Sequence, residues 1–352
     1  MRICSFVPSA TEILYALGLG DDVVGVSHAC DYPPEARRKP RVIRTVIDPE
    51  RASSATIDRA VRGALSRGES LYAVDEPLLR RLKPDLVLIQ KLCEVCALSA
   101  SQAERALSAL PSAPEVIALH PHTIEEMLDE VRLIGARTGR AVRAGRLIRD
   151  FGTRLSRVRT RLDTVTIRPR VFCLEWFEPP MAAGHWVPEM VKLAGGQEIL
   201  GRIGAPSRRV TWKEIVAGAP EVLILMPCGL SIERMRRELP RLMVQPVWAG
   251  LPAVQAGRVH LVDGPAYFNG AGPRLVDGIE LLARLCHPDR CVALMPAVGV
   301  EPLEQGSGEA RRRGRASSGT ARRDRAGRRW AQPATRSRSR RGGPAGSGRR
   351  SG

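Results

Sequence analysis

The chain has 352 residues, a length typical of about two compact domains, and 43% of its residues are hydrophobic, enough to form a core. Its net charge of +18 lies mostly near the carboxyl terminus: residues 301–352 carry 15 arginines against four acidic residues, whereas residues 1–300 carry 40 basic and 33 acidic residues. The body is therefore only mildly basic, which does not by itself indicate a nucleic-acid-binding protein, and no apolar stretch approaches the ~20 residues of a membrane span.

The amino-terminal residues predict a strand rather than an export signal. An export signal needs an apolar run of about 7–15 residues, and the run that follows Met1 is ended by Pro8 and Ser9. Cys4 also lacks the preceding apolar run of a lipoprotein anchor. The sequence as given predicts a cytoplasmic protein, or a periplasmic or otherwise extracytoplasmic one if the true start lies upstream. We accordingly expect the eight cysteines to be free thiols.

Strand and helix patterns alternate along the chain, which predicts an α/β fold with parallel sheets. The first helix is predicted over Ser9–Leu17, with a capping box formed by Ser9 and Glu12. A closing helix is predicted over Arg274–Leu285. Short apolar runs predict strands at Ile3–Val7, Val23–Val26, Leu86–Ile89, Val116–Leu119, Val171–Leu174, Val222–Met226 and Arg258–Val262.

A proline-free segment over residues 123–163 has apolar residues recurring mostly every three or four positions. This pattern predicts one long helix, or two nearly collinear ones, beginning at Thr123 or His122, and a single helix over this segment would be about 60 Å long. A helix of that length is suited to joining two lobes. The alternative is a pair of ordinary helices separated near Gly135 or Gly139.

Two segments resemble each other and predict two similar lobes. Residues 82–93 and 218–228 each contain a helix end, a proline, an acidic residue, four apolar residues and a loop with a cysteine. Ligands of open parallel sheets bind beyond the carboxyl ends of the strands. Loops 90–98 and 226–231 are therefore predicted to face each other across a cleft. Chance similarity between two α/β units is the alternative.

Several blocks resemble the cobalamin and iron-siderophore substrate-binding proteins of ABC importers. The general resemblance is carried by residues 7–13, 24–27, 31–34 and 83–87, and the resemblance to the cobalamin-binding branch by residues 90–96, 184–189, and 267–269 followed by 272–274. The resemblance covers roughly residues 2–287. The chain departs from the family in lacking an export signal and in residues 269–273, where a bulkier, more proline-rich turn is expected.

The resemblance implies two α/β lobes joined by a long helix, in the manner of periplasmic binding proteins, with the ligand in the cleft between the lobes. The expected divisions are an amino-terminal lobe over 1–121, the connecting helix over 122–168, a carboxyl-terminal lobe over 169–297 and a tail over 298–352. The tail is rich in Arg, Gly and Ser and has too few apolar residues to fold alone, so we expect it to be disordered.

The resemblance also implies a ligand and a partner. The ligand is cobalamin or a similar corrinoid or metal chelate, and no intrinsic cofactor is expected. Glu76 and Glu214 lie near the positions where the family docks onto arginines of an ABC permease. Solvated surface carboxylates are the alternative interpretation of both residues.

Cys93 and Cys96 form the sharpest chemical motif, a CxxC. It is consistent with buried structural thiols, with contact to a ligand or metal in the cleft, and with redox chemistry. Cys228 lies in the matched loop of the second half, and a thiolate is a suitable ligand for cobalt or iron. The histidines that could complete a metal site are His120, His122 and His185.

Aromatic residues make up only 4% of the chain, yet three of them fall between residues 176 and 186. Large flat ligands such as corrins or haems suit aromatic walls, and His185 is a candidate axial ligand to cobalt or iron. Ordinary packing is the alternative for the aromatic side chains and for a lone histidine. The predicted ligand-contacting residues are Tyr72, Gln90, Cys93, Cys96, Trp176, His185, Trp186, Cys228, Tyr267 and Phe268.

No catalytic motif of a serine hydrolase, P-loop enzyme, zinc protease or dinucleotide-binding enzyme is present. The sequence therefore predicts a binding protein, linked to ABC import, and not an enzyme. One alternative is a cytoplasmic corrinoid or haem sensor or carrier without a permease. Another is a cytoplasmic thiol-dependent oxidoreductase or corrinoid-processing enzyme that uses Cys93 and Cys96. No specific nucleic-acid partner is expected, although the arginine-rich tail can attract phosphates.

Overall fold

The structure, a computed structural model, describes residues 1–48, 51–91, 100–294 and 299–303. The strands are β1 Ile3–Ser5, β2 Val23–Ser27, β3 Arg41–Thr45, β4 Tyr72–Val74, β5 Leu86–Gln90, β6 Glu115–Leu119, β7 Arg170–Trp176, β8 Met181–Ala182, β9 Gln197–Glu198, β10 Arg208–Arg209, β11 Val222–Leu225, β12 Val259–Val262 and β13 Val300–Pro302. The α-helices are α1 Pro8–Ala16, α2 Ser54–Ser66, α3 Glu76–Leu82, α4 Ala100–Ser108, α5 Ile124–Arg137, α6 Ala141–Leu162, α7 Val187–Leu193, α8 Trp212–Gly218, α9 Ile232–Met243, α10 Pro252–Gln255, α11 Gly264–Tyr267, α12 Leu275–Cys286 and α13 Pro288–Cys291, with short 3-10 helices at Pro34–Arg38 and Trp248–Gly250.

The strands form two sheets, one in each half of the chain. The first has the order β4-β3-β2-β1-β5-β6 and is parallel except for the edge strand β4. The second has the order β10-β8-β7-β11-β12-β13, in which β7, β11 and β12 are parallel and the outer strands are antiparallel, while β9 pairs with β7. The predicted α/β architecture with two lobes is confirmed. None of the described helices is both long and apolar enough to cross a membrane.

The two segments that resemble each other in sequence occupy equivalent places in the two sheets. Helices α3 and α8 both end in a left-handed residue, Lys83 and Ala219, each followed by a proline. The acidic residue that comes next accepts a hydrogen bond from a backbone N–H at the entry of the neighbouring strand: Asp85 from Arg2, just before β1, at 2.7 Å, and Glu221 from Arg170, the first residue of β7, at 2.8 Å. The same local interactions therefore set the entry of β5 beside β1 and of β11 beside β7.

The predicted single helix over residues 123–163 is wrong, and the alternative of two helices holds. Thr123 caps α5 by accepting the Glu126 N–H, and the chain leaves the helix after Arg137 because Gly139 adopts a left-handed conformation at φ +68°. Helix α6 then runs for 22 residues, about 33 Å. The two helices pack closely where Gly135 meets Ala144, since a Cβ at Gly135 would lie only 2.5 Å from the Ala144 side chain.

Helix α6 is the element that connects the lobes. Near its start, Arg143 donates to the Leu17 carbonyl of the first lobe at 3.1 Å. Midway along it, Arg154 pairs with Asp277 and Glu280 of α12 in the second lobe. The helix buries Ala144, Phe151 and Val158. A shorter connecting helix than predicted thus suffices to reach both lobes.

Two local predictions at the ends of the fold are also wrong. Helix α1 begins at Pro8, which suits the first turn of a helix, so Ser9 lies inside the helix and forms no capping box with Glu12. The predicted tail from residue 298 contains β13, which pairs antiparallel with β12. The division placed at residue 297 therefore falls before the last described strand of the second lobe.

Candidate functional site between the two lobes

The functional site is expected where the carboxyl ends of the parallel strands carry loops. In the first lobe these loops follow β1, β2 and β5, and in the second they follow β7, β11 and β12. Contacts between the two sets of loops bring them to one junction. A Cβ placed at Gly270, after β12, would lie 3.8 Å from the Ser9 side chain at the start of α1. The junction therefore has both lobes within contact distance.

Arg274 of the second lobe makes the central contact at this junction. Its Nε donates to Glu12 of α1 at 3.0 Å, its Nη2 donates to the other carboxylate oxygen, and its guanidinium lies 3.9 Å from the centre of the Tyr32 ring. Burial raises the pKa of Glu12, with the hydrogen bond and charge of Arg274 acting in the opposite direction. Tyr32 stays 45% exposed. The group offers a cation and an accessible aromatic ring at the base of the junction.

A second contact between the lobes joins α2 to α9. The Glu238 carboxylate of α9 accepts from the Ser54 N–H at 3.0 Å and from the Ser54 hydroxyl at 2.7 Å, at the first residue of α2. Arg234 pairs with Glu238 at 2.7 Å and donates to the Ala52 carbonyl. The side chains of Arg234 and Glu238 are only 4% and 5% exposed. We call these four residues the cross-lobe cap, because a carboxylate of one lobe caps a helix of the other.

The electrostatics of the cross-lobe cap favour an ionised carboxylate. Burial alone would raise the pKa of Glu238, but the hydrogen bonds from Ser54 and Arg234 together lower it. Next to the cap, Arg209 of β10 pairs with Asp58 of α2 at 2.8 Å. Helix α2 is therefore held to the second lobe at two places, and the lobes are in direct contact along this side of the junction.

Some of the predicted ligand-contacting residues lie at strand ends, and others lie outside the described residues. Tyr72 starts β4 and stacks on His28, with ring centres 5.6 Å apart. Gln90 is the half-buried last residue of β5. Cys228 is half-buried in the loop after β11. Cys93 and Cys96 lie outside the described residues.

The predicted aromatic group is divided between the strand end and the core. Trp176, the half-buried last residue of β7, remains close to the strand's carboxyl end. Trp186, Tyr267 and Phe268 are instead buried, and the Trp186 indole N–H donates to the Phe268 carbonyl at 2.8 Å. These three rings pack in the core, so almost none of their surface is open to a ligand.

His185 belongs to a group of three histidines from both lobes. Its ring lies 5.5 Å from that of His122, which lies 6.4 Å from that of His120. The Nδ1 atoms of His122 and His185 are buried without a hydrogen-bond partner, and burial lowers the pKa of His185, with His122 adding to the effect. Within the described residues, no group of three or more His, Cys, Asp or Glu side chains is arranged to hold a metal ion.

The two glutamates with a predicted docking role have different surroundings. Glu76 is exposed at the first residue of α3. Glu214 forms a capping box with Thr211 at the start of α8 and pairs with Arg208 at 2.8 Å. The hydrogen bonds from Arg208 and Thr211 lower the pKa of Glu214 to about 2. Glu214 thus stabilises a helix end in addition to any role on the surface.

Sequence reasoning missed the residues that join the lobes. Glu12 and Arg274 are 262 positions apart, and Ser54 and Glu238 are 184 apart, so no local pattern connects them. The available signal was the spacing of Arg234 and Glu238, four residues apart on one helix. That spacing usually indicates an exposed ion pair, and its burial is visible only in the folded chain.

Comparison with known proteins agrees with this architecture. Residues 3–266 match the family described as periplasmic binding protein. A vitamin B12-binding protein of Vibrio cholerae is 28% identical over 284 residues, which cover 79% of this chain and 86% of that protein. An ABC transporter substrate-binding lipoprotein of Bacillus subtilis is 24% identical over 300 residues, 82% of this chain and 80% of that protein.

Solved structures show the same fold. The periplasmic vitamin B12-binding protein of Vibrio cholerae superposes with a TM-score of 0.58 at 23% identity, covering 81% of this chain and 96% of that one. A periplasmic heme-binding protein of Pseudomonas aeruginosa superposes with a TM-score of 0.63 at 19% identity, covering 82% and 93%. Since the family match extends over most of the two lobes, the chain belongs to the periplasmic binding protein family.

Proposed function

We propose that this protein binds a cobalamin-type corrinoid or a related metal chelate at the junction of its two lobes and delivers it to an ABC permease. The observation that carries the proposal is the convergence of loops that follow parallel strands of both sheets on one junction, where Arg274 contacts both Glu12 and Tyr32. Relatives named for vitamin B12 and for heme support a metal-chelate ligand. These relatives also support a location outside the cytoplasm.

We assign ligand contact to side chains near the strand ends that keep some accessible surface. Tyr32, Tyr72 and Trp176 offer ring faces, and large flat ligands gain most from such contacts. Cys228 offers a half-buried thiol beside Asn269, whose side-chain oxygen accepts the Gly229 N–H at 3.2 Å. We expect no catalysis, and the relatives' names give no support to an oxidoreductase.

Calorimetric titration with cobalamin, cobinamide and haem tests the proposal. We expect micromolar or tighter binding of at least one of them, about 8 kcal/mol or more. Tyr32→Ala should weaken that binding at least tenfold. Trp186→Phe is the matched control, because Trp186 is buried and its loss should lower thermal stability and leave affinity nearly unchanged. Absence of binding heat and of tryptophan quenching with all three ligands would contradict the proposal.

The permease partner is tested separately. Exposed Glu76 and half-exposed Glu214 are the proposed docking residues. Charge reversal at Glu76 should weaken binding to arginines of a permease without changing ligand affinity. Glu125→Lys on the outer face of α5 provides a control of the same charge change at a 70% exposed site. Equal effects of the two changes on permease binding would argue against a role for Glu76.

A further inference from the structure

Helix α6 carries almost the whole positive excess of the body. Residues 141–162 contain seven arginines and one acidic residue, Asp150, which is a net charge of +6. Residues 1–300 as a whole carry +7. Arg154 alone among the seven is used in the fold's ion pairs with α12. The other six are exposed.

Three of these six arginines lie toward the side of α6 that faces away from the protein. At 100° per residue, Arg149 lies opposite the buried Phe151 and Val158, and Arg146 and Arg157 lie about 60–80° to one side of Arg149. Within the described parts of the chain, none of these three forms an ion pair with a carboxylate. We call Arg146, Arg149 and Arg157 the arginine face. These guanidinium groups present positive charge that the described part of the fold does not use in ion pairs.

Two exposed aliphatic side chains lie on α6 and just after it. Val142, seven residues before Arg149 and therefore on the same side of α6, is 79% exposed. Ile167, just beyond the end of the helix, is 80% exposed. Among the described residues these are the two most exposed of the large hydrophobic side chains. Their exposure is unfavourable in water and has no use in the packing of this chain.

We propose that the arginine face, with Val142 and Ile167, docks onto the anionic headgroups of a membrane. Arginines near an anionic bilayer are each attracted appreciably, and exposed aliphatic side chains gain by entering the boundary between headgroups and acyl chains. A planar membrane surface can contact a helix of about 33 Å along its whole length, whereas a nucleic-acid duplex that crosses the helix contacts only a part of it. The aliphatic pair has no favourable partner on a phosphodiester backbone. Membrane docking would keep the ligand-binding junction close to a permease, but does not depend on which ligand is bound.

Sedimentation with vesicles tests the proposal on the full chain. We expect binding to vesicles that contain phosphatidylglycerol and at least tenfold weaker binding to pure phosphatidylcholine. Arg146→Gln, Arg149→Gln and Arg157→Gln combined should reduce the partition coefficient at least tenfold. The matched control combines Arg38→Gln, Arg81→Gln and Arg105→Gln, three exposed arginines on other elements, which removes the same charge and leaves the arginine-rich tail intact.

The aliphatic pair gives a second, independent measurement. The double variant Val142→Ser, Ile167→Ser should largely keep its binding to anionic vesicles at low salt. It should lose the vesicle binding that persists at roughly 0.5 M salt, where electrostatic attraction is screened. Equal losses from the two arginine triples would show that net charge rather than the arginine face governs binding and would overturn the proposal. Stronger binding to duplex DNA than to anionic vesicles through the same three arginines would overturn it in favour of a nucleic-acid surface.

Discussion

Removal of the Glu238 carboxylate should open the junction between the lobes. Glu238 accepts two hydrogen bonds from Ser54 of the opposite lobe and pairs with Arg234, and all of these groups are buried. Glu238→Ala removes the carboxylate that pairs with the buried Arg234 guanidinium, and breaking a buried ion pair typically costs about 3–5 kcal/mol. The part that crosses between lobes is two hydrogen bonds to a charged acceptor, about 1.5–3 kcal/mol each at most. A loss of about 3 kcal/mol would shift the balance between closed and open lobes by roughly 100-fold.

The assay is the distance between two fluorescent labels, one on each lobe, together with small-angle scattering and the ligand dissociation rate. We expect a longer mean distance, a larger radius of gyration and at least tenfold faster release of the ligand. Ser54→Ala should show the same changes to a smaller degree. Glu280→Ala is the matched control, because Glu280 is also 5% exposed and paired with an arginine, but on α12 against the connecting helix. If Glu238→Ala lowers stability as Glu280→Ala does and leaves the inter-lobe distance unchanged, the cross-lobe cap does not hold the lobes together.

Three further predictions concern stability. Burial raises the pKa of Glu130 to about 8 from an ordinary value near 4.3. Between these two values the folded protein keeps a proton that the unfolded chain releases. The free energy of unfolding should therefore fall as pH rises from about 5 to 8. Glu130→Gln should therefore be more stable than wild type at pH 8, on the order of a few kcal/mol by denaturant titration, and equal to it below about pH 4; a constant difference across pH would contradict this. Trp186→Phe should lose about 1 kcal/mol with the hydrogen bond to the Phe268 carbonyl, measured by thermal melting. A chain that ends at residue 296 should melt at lower temperature than one that ends at residue 305, because only the first lacks β13; equal melting temperatures would show that β13 adds nothing.

The sequence by itself determined the elements whose signals are local. Apolar runs such as Leu86–Ile89 predicted buried parallel strands because both faces of a central strand are covered. The prolines and acidic residues at 84–85 and 220–221 predicted two equivalent strand entries, and each acidic side chain indeed bonds the neighbouring strand. Family resemblance added the arrangement of the two lobes. These features depend on a few consecutive residues, so they are readable before folding.

Local periodicity also had a limit at the connecting helix. The apolar spacing over residues 123–163 continues through Gly139, because α5 and α6 each bury an apolar face with helical periodicity. Only the left-handed conformation of Gly139 and the close contact between Gly135 and Ala144 separate α5 from α6. A glycine permits such a break without requiring it, so the pattern could not decide between one helix and two.

Tertiary structure alone decided which residues form the junction. Trp186 and Phe268 looked like ligand contacts because aromatic residues are rare here, yet their position behind the strand ends makes them core. Glu12 looked like a helix cap and instead meets Arg274, while Glu238 looked like half of a surface ion pair and instead caps α2. Each of these partners lies more than 180 residues away in the chain. Burial and long-range pairing arise only when the two lobes come together, and for that reason composition and spacing could not reveal them.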